Sequence, residues 1–315
     1  MFNRSTVILG TGSYAPERIL TNEVLSRMVD TSDEWILTRS GIRERRIAGP
    51  DEATSDLAVH AARRALRNAH VPPSEIDLLV VATVTADYPM PSAACIVQHK
   101  LGVPESAACF DVNAACSGFV YALTVGHGLI AIGAERLLVI GSETLSRITD
   151  WDERSVSILV GDGAGAVVLE AVDGPGQLLS YKLGADGSLR HLLKCDHGGY
   201  LYMNGKEIFR KAVAVVVESA QQAIAEAGLT PDQIDVVVPH QANLRIISAA
   251  CQRLDIPEEK AVVVIDRYGN TSSASIPLAL ADALDTDRLK PGDHVLLTGF
   301  GGGMTWASAV LKWGG

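Results

Sequence analysis

Uninterrupted apolar runs alternate along this chain with stretches that have helical spacing. The segment AARRALRNAHVPPSEIDLLVVAT (61–83) predicts a helix, a proline-containing turn and then a buried strand. The segment SAQQAIAEAGLTPDQIDVVVPHQ (219–241) predicts the same succession. Runs such as LLVVAT and ERLLVIG do not alternate apolar with polar residues, so each strand should be covered on both faces, as in a mostly parallel sheet. The pattern therefore predicts an α/β protein.

The two segments correspond at a constant offset of 158 positions, which places Ile76 on Ile234. The same offset places Gly141, which closes ERLLVIG, on Gly299, which closes DHVLLTG. Two separate matches at one offset indicate an internal duplication and predict two similar halves packed face to face. The join is expected in VLEAVDGPGQL (168–178), which gives an N-terminal half at 1–172 and a C-terminal half at 173–315.

Composition and charge narrow the class of protein. A chain of 315 residues with 47% hydrophobic content can bury a substantial core, in one or two domains. A formal charge of −10 argues against general nucleic-acid binding. The absence of a secretory signal pattern and of an apolar run of about 20 residues predicts a cytoplasmic protein without membrane insertion. Five widely spaced cysteines without a CxxC pair predict free thiols.

One of these cysteines, Cys116, lies in DVNAACSGF (111–119) and is flanked by small residues that leave room for a substrate carbonyl. The residues that follow predict a buried helix over 116–133, which places the thiol at a helix start. Unpaired backbone N–H groups at that position are expected to lower the pKa of the thiol. The alternative is an inert core cysteine, which we assign to Cys95 and Cys109. At the offset of 158, Cys116 corresponds to Ala274, so only the N-terminal half carries the thiol.

Three motifs of the C-terminal half follow predicted strands. His240 in VVVPHQAN comes directly after an apolar strand, where α/β sheets place ligands. Asn270 in DRYGNTSSAS follows Gly269 at a predicted strand-to-helix turn and, taken alone, is better explained as a helix cap than as a catalytic group. The glycines of LLTGFGGGMTW leave backbone N–H groups available to an oxyanion. A possible metal trio (His191, Cys195 and His197) lacks a fourth ligand and a zinc-like spacing, so we predict no metal site.

Taken together, the motifs resemble those of β-ketoacyl-acyl carrier protein synthase III, a family of condensing enzymes with the thiolase fold. The resemblance extends over essentially the whole chain. Its motifs are TSDEWILTRSGIRERR (31–46), PSAAC (91–95), DVNAACSGF, GDGAGA (161–166), PHQANLRI (239–246), YGNTSSAS and GFGGG. It implies an α/β fold in which two duplicated halves form a layered αβαβα core.

The resemblance also implies a reaction. Cys116 would take an acyl group from an acyl-CoA as a thioester. Malonyl-acyl carrier protein would then lose CO₂, and its carbanion would attack the acyl-enzyme to give a 3-oxoacyl product that initiates fatty acid synthesis. His240 and Asn270 would donate hydrogen bonds to the malonyl thioester oxygen, and the backbone N–H groups of Cys116 and Gly302 would form the acyl-transfer oxyanion hole. No cofactor is implied, since the CoA thioester is a substrate.

Substrate and partner contacts are implied in the same way. Trp35 and Arg39 would sandwich the CoA adenine with Arg154 beside them, and the pantetheine tunnel would be lined by Met203, Gly205, Phe209, Asn243 and Phe300. The acidic carrier protein would meet a basic patch of Arg210, Arg245 and Arg253. The family implies a homodimer, in which Met90 lies where the partner subunit contributes to the acyl pocket. For Arg43, Arg45 and Arg46 we expect a solvated charge cluster.

Three alternatives stay open from the sequence. The first is a related acyltransferase that uses a CoA-linked extender or starts a specialised pathway. The second is a thiol hydrolase with a Cys-His-Asn set. The third is a non-catalytic subunit of the same fold, although such a chain would be expected to lose the nucleophile.

Overall fold

The structure is a computed structural model that describes residues 4–314, and its strands form two principal sheets and two small ones. The strands, numbered in chain order, are β1 (Arg4–Tyr14), β2 (Ile19–Thr21), β3 (Glu44–Arg46), β4 (Leu78–Ala82), β5 (Ala108–Val112), β6 (Arg136–Thr144), β7 (Asp162–Asp173), β8 (Leu178–Ala185), β9 (Leu193–Cys195), β10 (Leu201–Met203), β11 (Val236–Pro239), β12 (His294–Gly301) and β13 (Thr305–Lys312).

Helices connect and cover these strands. They are α1 (Asn22–Leu25), α2 (Asp33–Ser40), α3 (Thr54–Ala69), α4 (Ala93–Leu101), α5 (Gly118–Ala131), α6 (Arg154–Ser157), α7 (Gly205–Glu226), α8 (Leu244–Leu254), α9 (Ile265–Tyr268) and α10 (Ser275–Asp285). The helix–turn–strand successions predicted for 61–83 and 219–241 are confirmed by α3 with β4 and by α7 with β11.

The two principal sheets share one strand order. In the first, with the order β1-β7-β6-β4-β5, β4 is parallel to both β5 and β6, while β7 is antiparallel to β6 and β1. In the second, with the order β11-β12-β13-β8, the pair β11 and β12 is parallel and the other two pairs are antiparallel. The second sheet therefore repeats the first without a counterpart of β5.

Alternating side chains on the central strands separate the core into layers. Leu78 and Val80 of β4 pack towards α5 and α10, whereas Leu79 and Val81 pack towards α3 and α4. In the second sheet Val238 joins the same central layer, and Val237 packs against α7 and α8. The order of layers is α3 and α4, first sheet, α5 and α10, second sheet, α7 and α8. This arrangement confirms the predicted αβαβα fold built from two duplicated halves. The boundary at residues 172 and 173 stays a prediction, and it lies where β7 ends at Asp173.

The repeat shifts by one residue next to Cys116. A short 3₁₀ turn at Ala115–Ser117 precedes α5, and a matching turn at Ser272–Ala274 precedes α10. Ala115 and Ser272, which lie 157 positions apart, both have a left-handed backbone, with φ of 48° and 49°. Cys116 therefore corresponds to Ser273, and the prediction that it corresponds to Ala274 is wrong. The offset differs here from that of the strands because the conformation of each turn fixes the residue at which α5 or α10 begins.

No helix within residues 4–314 is long and apolar enough to cross a bilayer.

Candidate active site

The Cys116 turn is clamped to the glycine loop of the other half. Ala115 holds a left-handed φ that is costly for a residue with a Cβ atom, so the turn needs support from its surroundings. Ser117 donates to the carbonyl oxygen of Ala114 at 2.8 Å, and Thr305 donates to the same oxygen at 2.9 Å. Thr305 begins β13, directly after the glycine loop. These bonds fix the thiol at the first turn before α5.

A cavity of about 1280 Å³ opens in front of this turn. Cys116, His240 and Asn270 all line it, and so does Gly302. The thiol comes from the first half of the chain, and the imidazole, the amide and the glycine come from the second. The three residues predicted to be catalytic are therefore brought together at one cavity. The cavity exceeds the 300–1,000 Å³ that is common for small-molecule sites, so it has room for a long substrate.

The end of β11 and a serine of α10 hold His240 in one orientation. The His240 backbone N–H donates to the Thr298 carbonyl at 2.8 Å, and Nδ1 lies 2.7 Å from the Ser275 hydroxyl. The Ser275 oxygen also accepts from the Gln241 backbone N–H at 3.4 Å, and within residues 4–314 its own proton has no acceptor other than Nδ1. We therefore assign Ser275 as the donor to Nδ1 and place the imidazole proton on Nε2. Phe300 packs edge-on to the ring with centroids 5.5 Å apart.

Burial makes the side chains of Cys116 and His240 neutral at rest. Desolvation raises the pKa of Cys116 to about 12, and the nearby Glu143 carboxyl adds to this rise, whereas the Ser272 side chain and the local backbone act in the opposite direction. Desolvation also lowers the pKa of His240 to about 3. The prediction of a lowered thiol pKa is wrong, because the cost of removing a thiolate from water in this enclosed site exceeds the stabilisation at the helix start. The pair rests as a thiol and a neutral imidazole.

Asn270 makes a local capping hydrogen bond and also lines the cavity. Its backbone is fixed by N–H donation to Leu159 at 2.8 Å and by acceptance from Gly161 at 2.9 Å. The amide oxygen accepts from the Ser272 N–H at 2.9 Å, as a capping side chain would. This bond orients the carboxamide, so the Nδ2 donors are the polar atoms left for a ligand. The capping interpretation and the catalytic one are compatible.

The glycine loop approaches Cys116 so closely that a side chain would not fit. A Cβ atom added at Gly301 would lie 2.5 Å from the backbone nitrogen of Cys116 and 2.8 Å from the Cβ of Ala115. Gly302, the predicted oxyanion residue, follows directly and lines the cavity. The backbone N–H groups of the two predicted oxyanion residues therefore belong to segments in contact.

The predicted adenine-binding residues form an aromatic–cationic cluster. The guanidinium groups of Arg39 and Arg154 lie 5.3 Å and 5.0 Å from the Trp35 ring centroid. Trp35 and Arg39 line the cavity, whereas Arg154 is not among the lining residues and donates to the Asp30 carbonyl at 2.9 Å. Two guanidinium groups therefore lie within cation–π distance of the indole.

The other predicted substrate contacts divide into two groups. Those that line the cavity are Met203, Gly205, Phe209, Asn243, Arg245 and Phe300. Asn243 donates its side-chain amide to the Arg39 carbonyl at 2.9 Å, which ties the start of α8 to the end of α2. Outside the cavity lie Arg210 and Arg253, both exposed, and Met90, which is 86% exposed. Arg245 lies over the Phe209 ring at 5.3 Å, so α7 and α8 meet at the cavity edge.

The sequence of the chain matches one family of known proteins. Residues 110–187 match the family of 3-oxoacyl-[acyl-carrier-protein] synthase III, and residues 224–313 match its C-terminal domain. A β-ketoacyl-[acyl-carrier-protein] synthase III of Roseiflexus sp. (strain RS-1) is 50% identical, with 96% of this chain and 97% of the relative covered. The enzyme of that name from Geobacillus kaustophilus is also 50% identical, with 98% of each covered. The chain belongs to the β-ketoacyl-[acyl-carrier-protein] synthase III family.

A solved structure agrees with this assignment. The 3-oxoacyl-[acyl-carrier-protein] synthase III of Aquifex aeolicus VF5 superposes with a TM-score of 0.95 at 47% identity, covering 98% of this chain and 100% of that one. The thiolase-like fold and the family resemblance predicted from the motifs are confirmed. As a member of this family, the chain is a condensing enzyme of the acyltransferase class.

Arg45, in a family motif, has a structural role. It is fully buried in β3, and its guanidinium donates to the Ile158 carbonyl at 2.7 Å and to the Asn22 side chain at 2.7 Å. Burial lowers its pKa to about 10. The prediction of a solvated cluster is wrong for Arg45 and holds for the exposed Arg43. The three arginines were treated as one cluster, but neighbouring residues of a strand point to opposite faces, and Arg45 in β3 points to the interior.

His191, Cys195 and His197, the possible metal trio, do not form a ligand group in the structure. Within residues 4–314, no group of three or more His, Cys, Asp or Glu side chains is arranged to hold a metal ion. Cys195 and His197 line the cavity but His191 does not, and the Cys195 thiol lies 3.4 Å from the Gly199 carbonyl oxygen.

Sequence reasoning missed two sets of residues at the site. The first set consists of basic residues that line the cavity and would suit a phosphorylated ligand: Arg147, Arg190, Lys194 and Lys206. The second consists of buried polar groups behind the reacting side chains: Glu143, Ser272 and Ser275. Glu143 could have been found from the sequence, because it lies near the end of an apolar strand, as His240 does. The serines lie in the recognised YGNTSSAS motif, but nothing in their residue type distinguishes them.

Proposed function

We propose that this chain catalyses the decarboxylative condensation of an acyl-CoA primer with malonyl-acyl carrier protein, giving a 3-oxoacyl-acyl carrier protein that initiates fatty acid synthesis. The observation that carries the proposal is the shared cavity of a thiol, a neutral imidazole with a fixed tautomer and an oriented carboxamide. Within the family assignment, these groups supply one nucleophile and two hydrogen-bond donors.

In the first half-reaction Cys116 attacks the acyl-CoA carbonyl, and CoA leaves with a proton. The negative charge that develops on the carbonyl oxygen is stabilised by the backbone N–H groups of Cys116 and Gly302. Because Gly301 lets the loop touch the Cys116 turn, both donors are held before the substrate arrives. The product of this step is a thioester at Cys116.

In the second half-reaction the malonyl group loses CO₂, and negative charge builds on its thioester oxygen. The Nε2–H of His240 and the Nδ2–H of Asn270 donate to that oxygen. A neutral imidazole suits this role because it donates without giving up its proton, and its low pKa keeps it neutral throughout the physiological range. The carbanion then attacks the thioester, and the Cys116 thiolate leaves.

Charge and surface features support the proposed partners. Six cationic side chains line the cavity and suit the phosphates of CoA and of a carrier-protein phosphopantetheine: Arg39, Arg147, Arg190, Lys194, Lys206 and Arg245. The exposed Arg210 and Arg253 on α7 and α8 are the proposed contacts for the acidic carrier protein. We place the enzyme in the cytoplasm as a homodimer with no cofactor.

The test separates the two half-reactions. Cys116→Ala should give no acyl-enzyme by intact mass after incubation with acyl-CoA, whereas Cys195→Ala removes another thiol of the same cavity and should acylate normally. His240→Ala and Asn270→Ala should acylate within about threefold of wild type but release CO₂ from malonyl-acyl carrier protein about 10²–10³ times more slowly. Normal CO₂ release by either variant would refute the assigned roles.

The same assay addresses the alternatives. Condensation with malonyl-CoA as efficient as with malonyl-acyl carrier protein would indicate a CoA-linked extender. A thiol hydrolase would release CoA without condensation, but the low pKa of His240 makes it a poor base for activating water. A series of acyl-CoA primers from acetyl to branched and medium-chain then ranks the primer preference.

A further inference from the structure

Gln241 is a buried residue of the PHQAN segment that the proposed mechanism does not use. It follows His240 directly and is 1% exposed. His240 and Ala242 on either side of it line the cavity, whereas Gln241 does not, so its side chain lies behind the cavity wall. A buried amide has donors and acceptors that cost free energy if they find no partner. Its partners therefore show what the residue holds in place.

Four backbone groups occupy the hydrogen-bonding positions of this amide. Nε2 donates to the Pro239 carbonyl at 2.8 Å and to the Val262 carbonyl at 3.0 Å. Oε1 accepts from the backbone N–H groups of Val264 and Ile265 at 2.9 Å and 3.1 Å. Because carbonyl groups only accept and N–H groups only donate, the opposite orientation of the amide would lose all four bonds. The side chain thus joins the end of β11 to the start of α9.

The helix α9 leads directly to Asn270. It begins at Ile265, which is held by Gln241, and ends at Tyr268, two residues before Asn270. The backbone hydrogen bonds of Asn270 tie it to the first half of the chain, so its place relative to His240 depends on contacts within the second half. The Gln241 side chain supplies such a contact from the residue next to His240.

The segment that carries Asn270 is held at its other end as well. The Ser275 hydroxyl lies 2.7 Å from His240 Nδ1 and accepts from the Gln241 backbone N–H at 3.4 Å. Residues 264–275 are thus attached at both ends to the dipeptide of His240 and Gln241. The positions of the imidazole and the carboxamide therefore depend on each other through this dipeptide.

We propose that Gln241 is a positioning residue that sets the place of the Asn270 carboxamide relative to the His240 imidazole. It does not touch the substrate. The inference rests on the proposed function, in which both groups donate to one thioester oxygen during decarboxylation. Acylation instead uses the Cys116 thiol and the backbone N–H groups of Cys116 and Gly302. A displaced carboxamide should therefore slow the second half-reaction and spare the first.

The hydrogen bonds of Gln241 allow this separation. Within residues 4–314, its side chain makes no hydrogen bond to the turn at Ala115–Ser117 or to the glycine loop, since its four partners lie in β11 and in residues 262–265. Loss of the amide thus removes contacts near the two decarboxylation donors and leaves those that hold the nucleophile.

The experiment measures the two half-reactions separately in Gln241→Met, a side chain of similar length without an amide. Acyl-enzyme formation from acyl-CoA, followed by intact mass, should stay within about threefold of wild type. Release of CO₂ from malonyl-acyl carrier protein should slow about 10- to 100-fold, since a misplacement of about 1 Å has such an effect at a reacting centre.

A second buried glutamine provides the matched control. Gln177 is 7% exposed, accepts from the Ile8 backbone N–H at 2.9 Å and does not line the cavity. Gln177→Met removes a buried amide in the same way as Gln241→Met. It should leave both half-reactions within about threefold of wild type, because nothing that it holds leads to Asn270.

Two further variants test whether Gln241 acts through Asn270. In Asn270→Ala the carboxamide is already absent, so adding Gln241→Met should slow CO₂ release by less than about twofold more. Gln241→Asn keeps the amide on a side chain one methylene shorter, which cannot reach both β11 and α9. It should slow CO₂ release and spare acylation, and it carries the test if Gln241→Met fails to fold.

The outcomes separate this inference from the proposed function. CO₂ release at the wild-type rate in the Gln241 variants, or equal slowing of both half-reactions, would overturn the positioning role. Multiplied losses in the double variant would also overturn it, because Gln241 would then act without the carboxamide. If Asn270→Ala itself releases CO₂ at the wild-type rate, the proposed function fails at its second step. That result differs from an enzyme that needs Asn270 but tolerates Gln241→Met.

Discussion

Burial decides the charge of each reacting residue at this site. Cys116 and His240 are 9% and 4% exposed, and the charged form of each is disfavoured because water cannot solvate it. The neutral imidazole that results is a donor at Nε2, since Ser275 occupies Nδ1. One physical cause thus suits His240 to the donor role that we propose for it in decarboxylation.

A pH-dependent contribution to stability follows from the low pKa of His240. Its pKa is about 3 in the folded protein, against 6.5 for an unperturbed histidine, so below pH 6.5 the unfolded state binds the proton first. Stability conferred by the neutral imidazole is present above pH 6.5 and is lost as the pH falls towards 3, by about 2 kcal/mol between pH 7.5 and pH 5. His240→Asn should lose less over this interval in urea unfolding. His70→Asn, at an exposed position, is the control, and parallel curves for wild type and His240→Asn would contradict the argument.

The residue types at the site could be predicted from the sequence, but their protonation could not. The thiol and the imidazole each follow a strand, and the strand-end rule places both at one edge. Asn270 follows the helix α9 where the sequence predicted a strand. A pKa depends on what covers the group, and the cover comes from residues far along the chain, such as Ser275 for His240. Arg45 makes the same point, because its local sequence is charged throughout while its partners at Asn22 and Ile158 are distant.

At the scale of elements, the site forms where turns of the two halves touch. The turn before α5, the turn before α10 and the loop between β12 and β13 converge on Cys116. The duplication was visible in the sequence because strand and helix patterns repeat at one offset. The one-residue shift at these turns was not visible, because it arises from the left-handed residues Ala115 and Ser272, and neither is a glycine that would have signalled such a backbone.

The contact between the glycine loop and the nucleophile turn gives a prediction with a paired control. Gly301→Ala places a methyl group 2.5 Å from the Cys116 backbone nitrogen, so the turn or the loop must move. Acyl-enzyme formation should slow about 10- to 100-fold, since displacements below 1 Å already misalign the oxyanion donors. Gly128→Ala lies on α5 with open space around it and should raise stability by about 0.5–1 kcal/mol at unchanged activity. Single-turnover acylation and urea unfolding measure both effects, and an unimpaired Gly301→Ala enzyme would show that the loop yields freely.

At the scale of the whole molecule, the duplicated fold divides the proposed catalytic groups between its halves. The first half supplies the thiol, and the second supplies the imidazole, the amide and the glycine loop. Their shared central layer of α5 and α10 fixes the distance between the two sets. The fold class followed from the succession of helical segments and apolar strand runs, and from the repetition of that succession along the sequence. Four cationic residues of the cavity could not be identified, because they come from three separate segments whose meeting is a property of the assembled chain: Arg147, Arg190 with Lys194, and Lys206.

A substitution in the exposed apolar loop after β4 can test the proposed homodimer. Met90 and Tyr88 are 86% and 59% exposed, an unusual state for large apolar side chains that lie two residues apart. If the partner subunit covers them, Met90→Arg buries an unpaired charge in the interface and should weaken the dimer at least about 100-fold. Light scattering at micromolar concentration should give twice the 33.4 kDa chain mass for wild type and a shift towards one chain for the variant. Ile132→Arg, at a 69% exposed position after α5, should leave the dimer intact. Wild-type enzyme that is monomeric, or Met90→Arg enzyme that stays fully dimeric, would exclude this loop as the interface.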